Sequence, residues 1–447
     1  MIRTGSSKLV VVVIATLLVV GAVVIGWFII KGNPALLRDV TIDHQQISPN
    51  ADGVQDATTI QYELRDNAAV SIYFENKAGE RFYFRQEESR GVGQYQVTFS
   101  GIVNGYNLPG EEVEGEILAR LLQNGDYAWT IAAVTESGRQ EEISGLLAIE
   151  EADTELPEMR NFTLDKHEFT PNQDGIDDRV QIQFFLPKEV VSTRVYIVDL
   201  DGAELPVAEV ERGVEVGSPG RHYFDYEAGV DNNATPPADG LYPIIAIAED
   251  AEGQKIRVED NLTLLYGGVP RAEIISPAAG DTVEWSATTA PLCDTVTFTL
   301  TVQNYGSTPI RTSGPEPGMT YDSDWNYNTL GWHTESGAWR VAIGYENELS
   351  NYPYRWAVGN PEDLEKIGDH YYLMPGERAV VSGSIRLVGP FGERNPQPIW
   401  AGLIHEDVEI SQFNNRVDPR QFLVDLPDLD NLSECKVRPI PPPPTGD

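Results

Sequence analysis

Two short acidic stretches carry the residues best suited to chemistry: Ser48 to Asp56 reads SPNADGVQD, and Thr170 to Asp178 reads TPNQDGIDD. Each sets oxygen-bearing side chains at matching places, Asn50, Asp52 and Asp56 in the first and Asn172, Asp174 and Asp178 in the second. A glycine, Gly53 or Gly175, stands where the backbone must turn sharply. Hard cations such as Ca2+ take six to eight oxygens from carboxylate, amide and carbonyl groups, and alternate positions on a tight Gly-containing turn can point inward together. Both loops are therefore candidate calcium sites. The same residue types also build plain Asx turns, three side-chain oxygens do not fill a calcium shell, and neither loop has the glycine at position six and glutamate at position twelve of an EF-hand. Asp43 and Asp165 each stand seven residues ahead of the loop asparagine, in TIDHQQISPN and TLDKHEFTPN, so the duplication extends upstream and marks two related modules.

The elements that must position these loops read as β-strands. Residues 40–152 contain alternating runs such as Thr59 to Leu64 and Val70 to Phe74, separated by turn signals at Asp66-Asn67, Lys77-Ala78-Gly79 and Asn124-Gly125-Asp126. Residues 158–268 repeat the order with Val180 to Phe185, Thr193 to Val198 and the turn Asp199-Leu200-Asp201-Gly202. Many short strands with frequent turns predict β-sandwiches. Glu150 to Pro157, EEADTELP, is the expected junction.

The order of loop, strands, Gly-x-aromatic segment and closing NGDY or DGLY resembles the immunoglobulin-like domain of flagellar hook-capping proteins. It is also similar to modules of gliding-motility-associated surface proteins. The matching residues are Asn50, Asp52, Gly53, Asp56, Gly79, Gly93-Gln94-Tyr95, Gly101 and Asn124 to Tyr127, then Asn172, Asp174, Gly175, Asp178, Gly202, Gly220-Arg221-His222 and Asp239 to Tyr242. The resemblance covers about half of the chain and implies tandem immunoglobulin-like sandwiches that serve as spacers, adhesive units or export-associated domains. A membrane segment departs from the hook-capping pattern, so flagellar assembly is not carried over.

Residues 269–435 form a third region, opening with Thr295 to Val302 and the turn Asn304-Tyr305-Gly306-Ser307, similar to bacterial adhesion-type immunoglobulin-like domains. Six of the eight tryptophans lie here, and the stretch from Tyr321 to Trp356 reads as a long ordered insertion rather than strands. Trp325, Trp332, Trp339 and Trp356 are candidates for a ligand surface, because aromatic faces suit the apolar sides of sugar rings. Aromatic side chains in a sandwich of this size also serve as core. Pro439 to Pro444, with five prolines in six residues, predicts a polyproline II segment within 436–447.

Residues 9–30 are uncharged and almost wholly apolar, and as a helix they would span roughly 33 Å, enough for a bilayer core. The run is longer than a signal-peptide core and lacks a small-residue cleavage site. A pilin leader is disfavoured because Val10 stands where that pattern needs glutamate. The expectation is a single-pass anchor in the cell membrane, with 1–8 cytoplasmic, 31–39 a stalk and everything beyond extracytoplasmic.

With 69 acidic against 32 basic residues and a formal charge of −37, the chain repels phosphate backbones, which excludes nucleic-acid partners. Cys293 and Cys435 bracket the third region, fit no zinc pattern and are expected to form a disulfide, worth about 5 kcal/mol at most in the entropic view. No nucleophile elbow, Walker loop, dinucleotide fingerprint or HExxH motif occurs; Gly402 to Asp407, GLIHED, comes nearest and lacks the second histidine. N-x-[ST] triplets such as those at Asn161, Asn233 and Asn261 are too common by chance to carry weight. The expectation is no enzyme. It is an all-β chain of tandem immunoglobulin-like sandwiches behind one transmembrane helix, an envelope scaffold or adhesion protein whose partners are other envelope proteins or surface glycans. An accessory subunit of a larger membrane complex fits the same features.

Overall fold

The computed structural model describes residues 35–210, 212, 214–346, 351–427 and 435–442. The expected anchor, 9–30, and the segment 1–8 lie outside the described residues. Among the described residues no helix is long and apolar enough to cross a membrane. The described chain is built of strands, with two 3-10 turns at Val230–Asn232 and Pro361–Asp363.

Period-two patterning sets the layers of modules 1 and 2. In Thr58–Leu64 every second residue is buried, and Val180–Leu186 repeats that alternation, so one face of each strand enters the core. In module 1 a sheet of Leu37–Ile42, Thr58–Leu64 and Gly93–Phe99 faces a five-stranded sheet of Gln46–Ile47, Gln140–Ile149, Gly125–Thr135, Ala68–Glu75 and Arg81–Arg90. Module 2 repeats the smaller sheet with Arg160–Leu164, Val180–Leu186 and Gly220–Tyr226. Leu36 and Leu37, read from sequence as stalk, are buried in the module 1 core because Leu37 pairs with Leu64.

The second sheet of module 2 is completed from module 1. Its order is Glu204–Val207, Ser192–Val198, Gly240–Glu249, Lys255–Leu264, then Glu116–Leu121 and Ile102–Asn104. The last two strands leave module 1 as a hairpin, pairing Glu116 with Arg257 and Ile117 with Ile256 and burying Ile117 in the neighbouring core. The Glu114 carboxylate accepts the backbone N–H groups of Asn161 and Phe162 at 2.9 and 3.2 Å. The junction itself is pinned: Gln254 Nε2 donates to the Glu155 carbonyl at 2.8 Å, and Lys188 Nζ reaches Asp153 and Asp250. A β-hairpin laddered into the module 2 sheet, with Ile117 in that module's core and Val103 in the module 1 core, cannot swing without breaking ladder hydrogen bonds, so this boundary is a fixed joint.

Module 3 sets one sheet around Thr295–Asn304 and Arg378–Arg386 against another built on Trp339–Tyr345, Gln397–His405 and Val417–Asp425. The aromatic stretch expected to be an insertion carries strands, at Thr320–Asp322, Trp339–Tyr345 and Tyr354–Ala357. All four residues of Tyr354–Ala357 are buried, as are six of the seven in Trp339–Tyr345. Burial on both faces removes the alternation that would have revealed them. Cys293 and Cys435 form the disulfide.

Candidate functional site

Both acidic loops fold by the same local rule. In the second, Asn172 Oδ1 accepts the Asp174 N–H at 3.0 Å, Asp174 Oδ1 accepts the Ile176 N–H at 2.8 Å, and Asp178 Oδ2 accepts the Gly175 N–H at 2.7 Å. In the first, Asn50, Asp52 and Asp56 accept from Asp52, Val54 and Gly53 at 3.1, 2.8 and 2.7 Å. Ser48 and Thr170 close each ring by donating their hydroxyls to the Val54 and Ile176 carbonyls. Asp43 and Asp165 serve the adjoining strands: the Asp43 N–H donates to the Thr59 carbonyl, and Asp165 Oδ1 accepts from the Gln181 N–H.

The surroundings of the two loops differ. Asp52 and Gly53 are exposed, whereas Asn172 and Asp174 are only 2% and 4% exposed. What covers the second loop is the rim of module 3. Arg311 Nε donates to the Asp174 carbonyl and its Nη2 to the Ser336 carbonyl, both at 2.6 Å. The Tyr372 hydroxyl donates to Asp174 Oδ2 at 3.1 Å. Arg311 and Tyr372 are cross-strand partners, so one pair of strands delivers both. His405 Nε2 lies 2.8 Å from the Gln173 carbonyl. A carbonyl only accepts, so that nitrogen carries the proton. His405 stacks on Trp339, and burial pushes its pKa down to about 4.

The approach is close enough to demand glycine on both sides. Gly175 has φ +83° and a Cβ there would lie 2.0 Å from the Ser336 carbonyl oxygen; Gly337 has φ +80° and a Cβ there would lie 2.0 Å from the Asp174 carbonyl carbon. No side chain fits at either position.

Behind this seat lies a buried ionic cluster. Glu406 accepts Arg355 Nη1 at 2.8 and 2.9 Å and meets Arg340 Nη1 at 3.2 Å. Arg340 is fully buried, which lowers its pKa, and it donates to the Ser313 and His333 carbonyls. Glu335 meets Arg311 and Arg340 at 3.4 and 3.3 Å, tying the cluster to the seat. The GLIHED segment thus has a structural role, with His405 on the loop and Glu406 under the two arginines.

Burial raises the pKa of Asp174, and burial together with the Asp174 charge pushes Asp178 up to about 6. Among the described residues no group of three or more His, Cys, Asp or Glu side chains is placed to hold a metal ion. The residues present fit calcium in donor type, an amide and two carboxylates per loop, and in the second loop they set a buried carboxylate, Asp174, near a half-buried one, Asp178. They supply half a coordination shell or less, and turn hydrogen bonds already occupy one lone pair of several oxygens.

The candidate ligand surface divides. Trp356 is fully buried and Trp339 is 4% exposed, both in the module 3 core, so the expectation that they face a ligand is corrected. Trp325 and Trp332 are half-buried at its edge. Arg311, Gly337, Tyr372 and His405, which receive the second loop, had no signal in sequence beyond the incomplete histidine motif.

No protein-family model and no curated protein matches the chain. Among solved structures it is similar to a Ca2+-stabilized adhesin of an Antarctic bacterium that binds ice, at 11% identity and TM-score 0.23, covering 78% of this chain and 72% of that one. A Bacteroides ovatus glucan-utilization protein, SGBP-B in complex with a mixed-linkage heptasaccharide, matches at 13% identity and TM-score 0.14 over 88% and 69% of the two chains. Escherichia coli alpha-2-macroglobulin matches at 12% identity and TM-score 0.20, over 89% of this chain, which spans 23% of that protein's length. Likeness at this level leaves the function to the chain's own geometry.

Proposed function

We propose that this protein is an extracytoplasmic scaffold or adhesion component of a bacterial envelope, held to the membrane by residues 9–30, in which three sandwiches form one stiff arm. The seating of loop 170–178 in module 3 carries the reading. A turn whose carbonyls, carboxylate and glycine are all engaged by the next module is a joint, and hinge motion there would strip Arg311 and His405 of buried partners. The shared hairpin does the same between modules 1 and 2. Such a chain transmits force and orientation rather than performing a reaction.

Calcium would be held by Asn172, Asp174 and Asp178 in the second loop and by Asn50, Asp52 and Asp56 in the first. The ion would neutralise carboxylates crowded on a tight turn, and the effect would be greatest in the second loop, where Asp174 is buried and Asp178 half-buried. A cation that binds only the folded loop stabilises by mass action.

Single-particle imaging of the full chain in detergent tests the arm: one fixed angle between modules 2 and 3 is expected, and a broad distribution of angles would sink the proposal. A second reading, glycan binding, draws on a 210 Å3 pocket lined in part by Trp332, Asp369, His370 and Tyr371. Aromatic faces beside polar groups suit sugars. A glycan array with the full chain and its Trp332→Ala variant distinguishes the two, since only glycan binding predicts a signal that the variant loses.

A further inference from the structure

The described part of the Pro-rich segment, 436–442, does not stand free of module 3. Cys435 is bonded to Cys293, Arg386 Nη1 donates to the Lys436 carbonyl at 2.9 Å, and Arg438 meets Asp322 at 3.3 Å while lying over the Trp325 ring at 5.6 Å. Asp322 is almost fully buried and is held at both carboxylate oxygens by Arg386, Nε to Oδ1 at 2.9 Å and Nη2 to Oδ2 at 2.5 Å, so the anchor for Arg438 is itself rigid. From this anchor the chain runs to Pro441 and Pro442, which form one wall of a 390 Å3 cleft. Its other walls include Pro315, Pro317, Met319, Leu330 and Trp332.

A cleft of this composition has the chemistry that recognises polyproline II helices. Such a helix makes no internal hydrogen bonds and is already extended, so laying proline rings against tryptophan and other apolar groups costs little ordering entropy. We propose that the face formed by Pro315, Pro317, Met319, Leu330 and Trp332 is a polyproline II receptor and that the chain's own segment 436–442, which walls the cleft opposite it, is its resident ligand, delivered by the disulfide and oriented by Arg438. The tether makes weak intrinsic affinity sufficient. A short linker gives an effective concentration on the order of millimolar, so a segment that would bind as a free peptide with Kd near ~0.1 mM stays mostly bound when attached. The prolines then act as a cover over the half-buried edge of the aromatic cluster.

The test uses the full chain in detergent, a form ending at Cys435 that keeps the disulfide, and a labelled peptide of residues 436–447 followed by anisotropy. The truncated form is expected to bind the peptide roughly tenfold more tightly than the intact chain, where the resident segment competes. Trp332→Ala in the truncated form should abolish binding, as should glycine in place of the peptide's prolines. Absence of peptide binding to a truncated form with unchanged circular dichroism overturns the proposal, and so does equal binding of the glycine peptide. If truncation disturbs folding, the intact chain carrying P441G and P442G decides: its tryptophan emission must shift to the red relative to wild type, with the shift missing in a Trp332→Phe background. An unchanged emission refutes the cover.

Discussion

Arg311 donates its Nε–H to the carbonyl oxygen of Asp174 at 2.6 Å, across 137 positions of sequence. This contact turns a surface loop of module 2 into a buried part of module 3. An acidic loop that elsewhere in the chain lies open to water here has its backbone read by a guanidinium, its carboxylate by Tyr372 and its neighbouring carbonyl by His405. The joint therefore depends on shape and on buried polar pairing together.

Shape gives the first prediction. Gly175→Ala and Gly53→Ala place the same methyl group at nearly the same backbone angle, φ +83° and +84°, but only the first meets another module, since nothing lies within 4 Å of a Cβ at Gly53. Gly53→Ala should cost about 1–2 kcal/mol from the left-handed conformation. Gly175→Ala should cost about 1–3 kcal/mol more from overpacking and should expose residues 170–178 to protease. Equal melting temperatures for the two variants would show that the joint is not formed.

The ionic cluster gives the second. Glu406→Ala leaves Arg340 and Arg355 buried without their shared carboxylate, a loss of about 3–5 kcal/mol by the usual cost of breaking a buried pair. Because Glu335 ties Arg340 to Arg311, the same variant should loosen the seat of loop 170–178. Chemical denaturation measures the loss, and hydrogen exchange at Asp174 to Ile176 measures the loosening.

Two groups at the joint titrate in opposite senses. Asp178 has a folded pKa of about 6 against an ordinary 3.8, so the folded chain holds a proton that the unfolded chain has released; its contribution is present below about pH 4 and is lost as pH rises through 6. His405, pushed down to about 4 from 6.5, contributes above pH 6.5 and loses that contribution as pH falls toward 4. Asp178→Asn should therefore be more favourable relative to wild type at pH 7 than at pH 4. His405→Gln, relative to wild type, should be more favourable at pH 4 than at pH 7. Melting curves of the three proteins across this range check both signs.

Calcium supplies the fourth. Bound at Asn172, Asp174 and Asp178, it favours the ionised carboxylates, so the Asp178 titration midpoint should fall below about 4 with calcium and return toward 6 with chelator. Chelator should also lower the melting temperature of wild type and leave that of the Asp52→Ala, Asp174→Ala double variant unchanged. A wild-type protein indifferent to both additions has loops that act as turns alone.

The sequence by itself determined what depends on near neighbours. Alternation in Thr58–Leu64 and Val180–Leu186 specified strands with one buried face, and SPNADGVQD and TPNQDGIDD specified two equivalent turns, because every hydrogen bond that closes those rings spans no more than about seven residues. The tertiary structure decided everything that depends on which surfaces meet. Asp52 and Asp174 occupy matching places in nearly the same string, yet one is exposed and the other buried, since Arg311, Ser336, Gly337 and Tyr372 arrive only when module 3 folds. Likewise Glu116–Leu121 falls within the sequence bounds of module 1, 40–152, but finds a partner in Lys255–Leu264 of module 2, and Trp339 and Trp356 became core while Trp325 and Trp332 stayed at the edge. Local pattern encodes a strand's period and a turn's caps; burial is set by residues far away in the chain, and no short stretch of sequence records them.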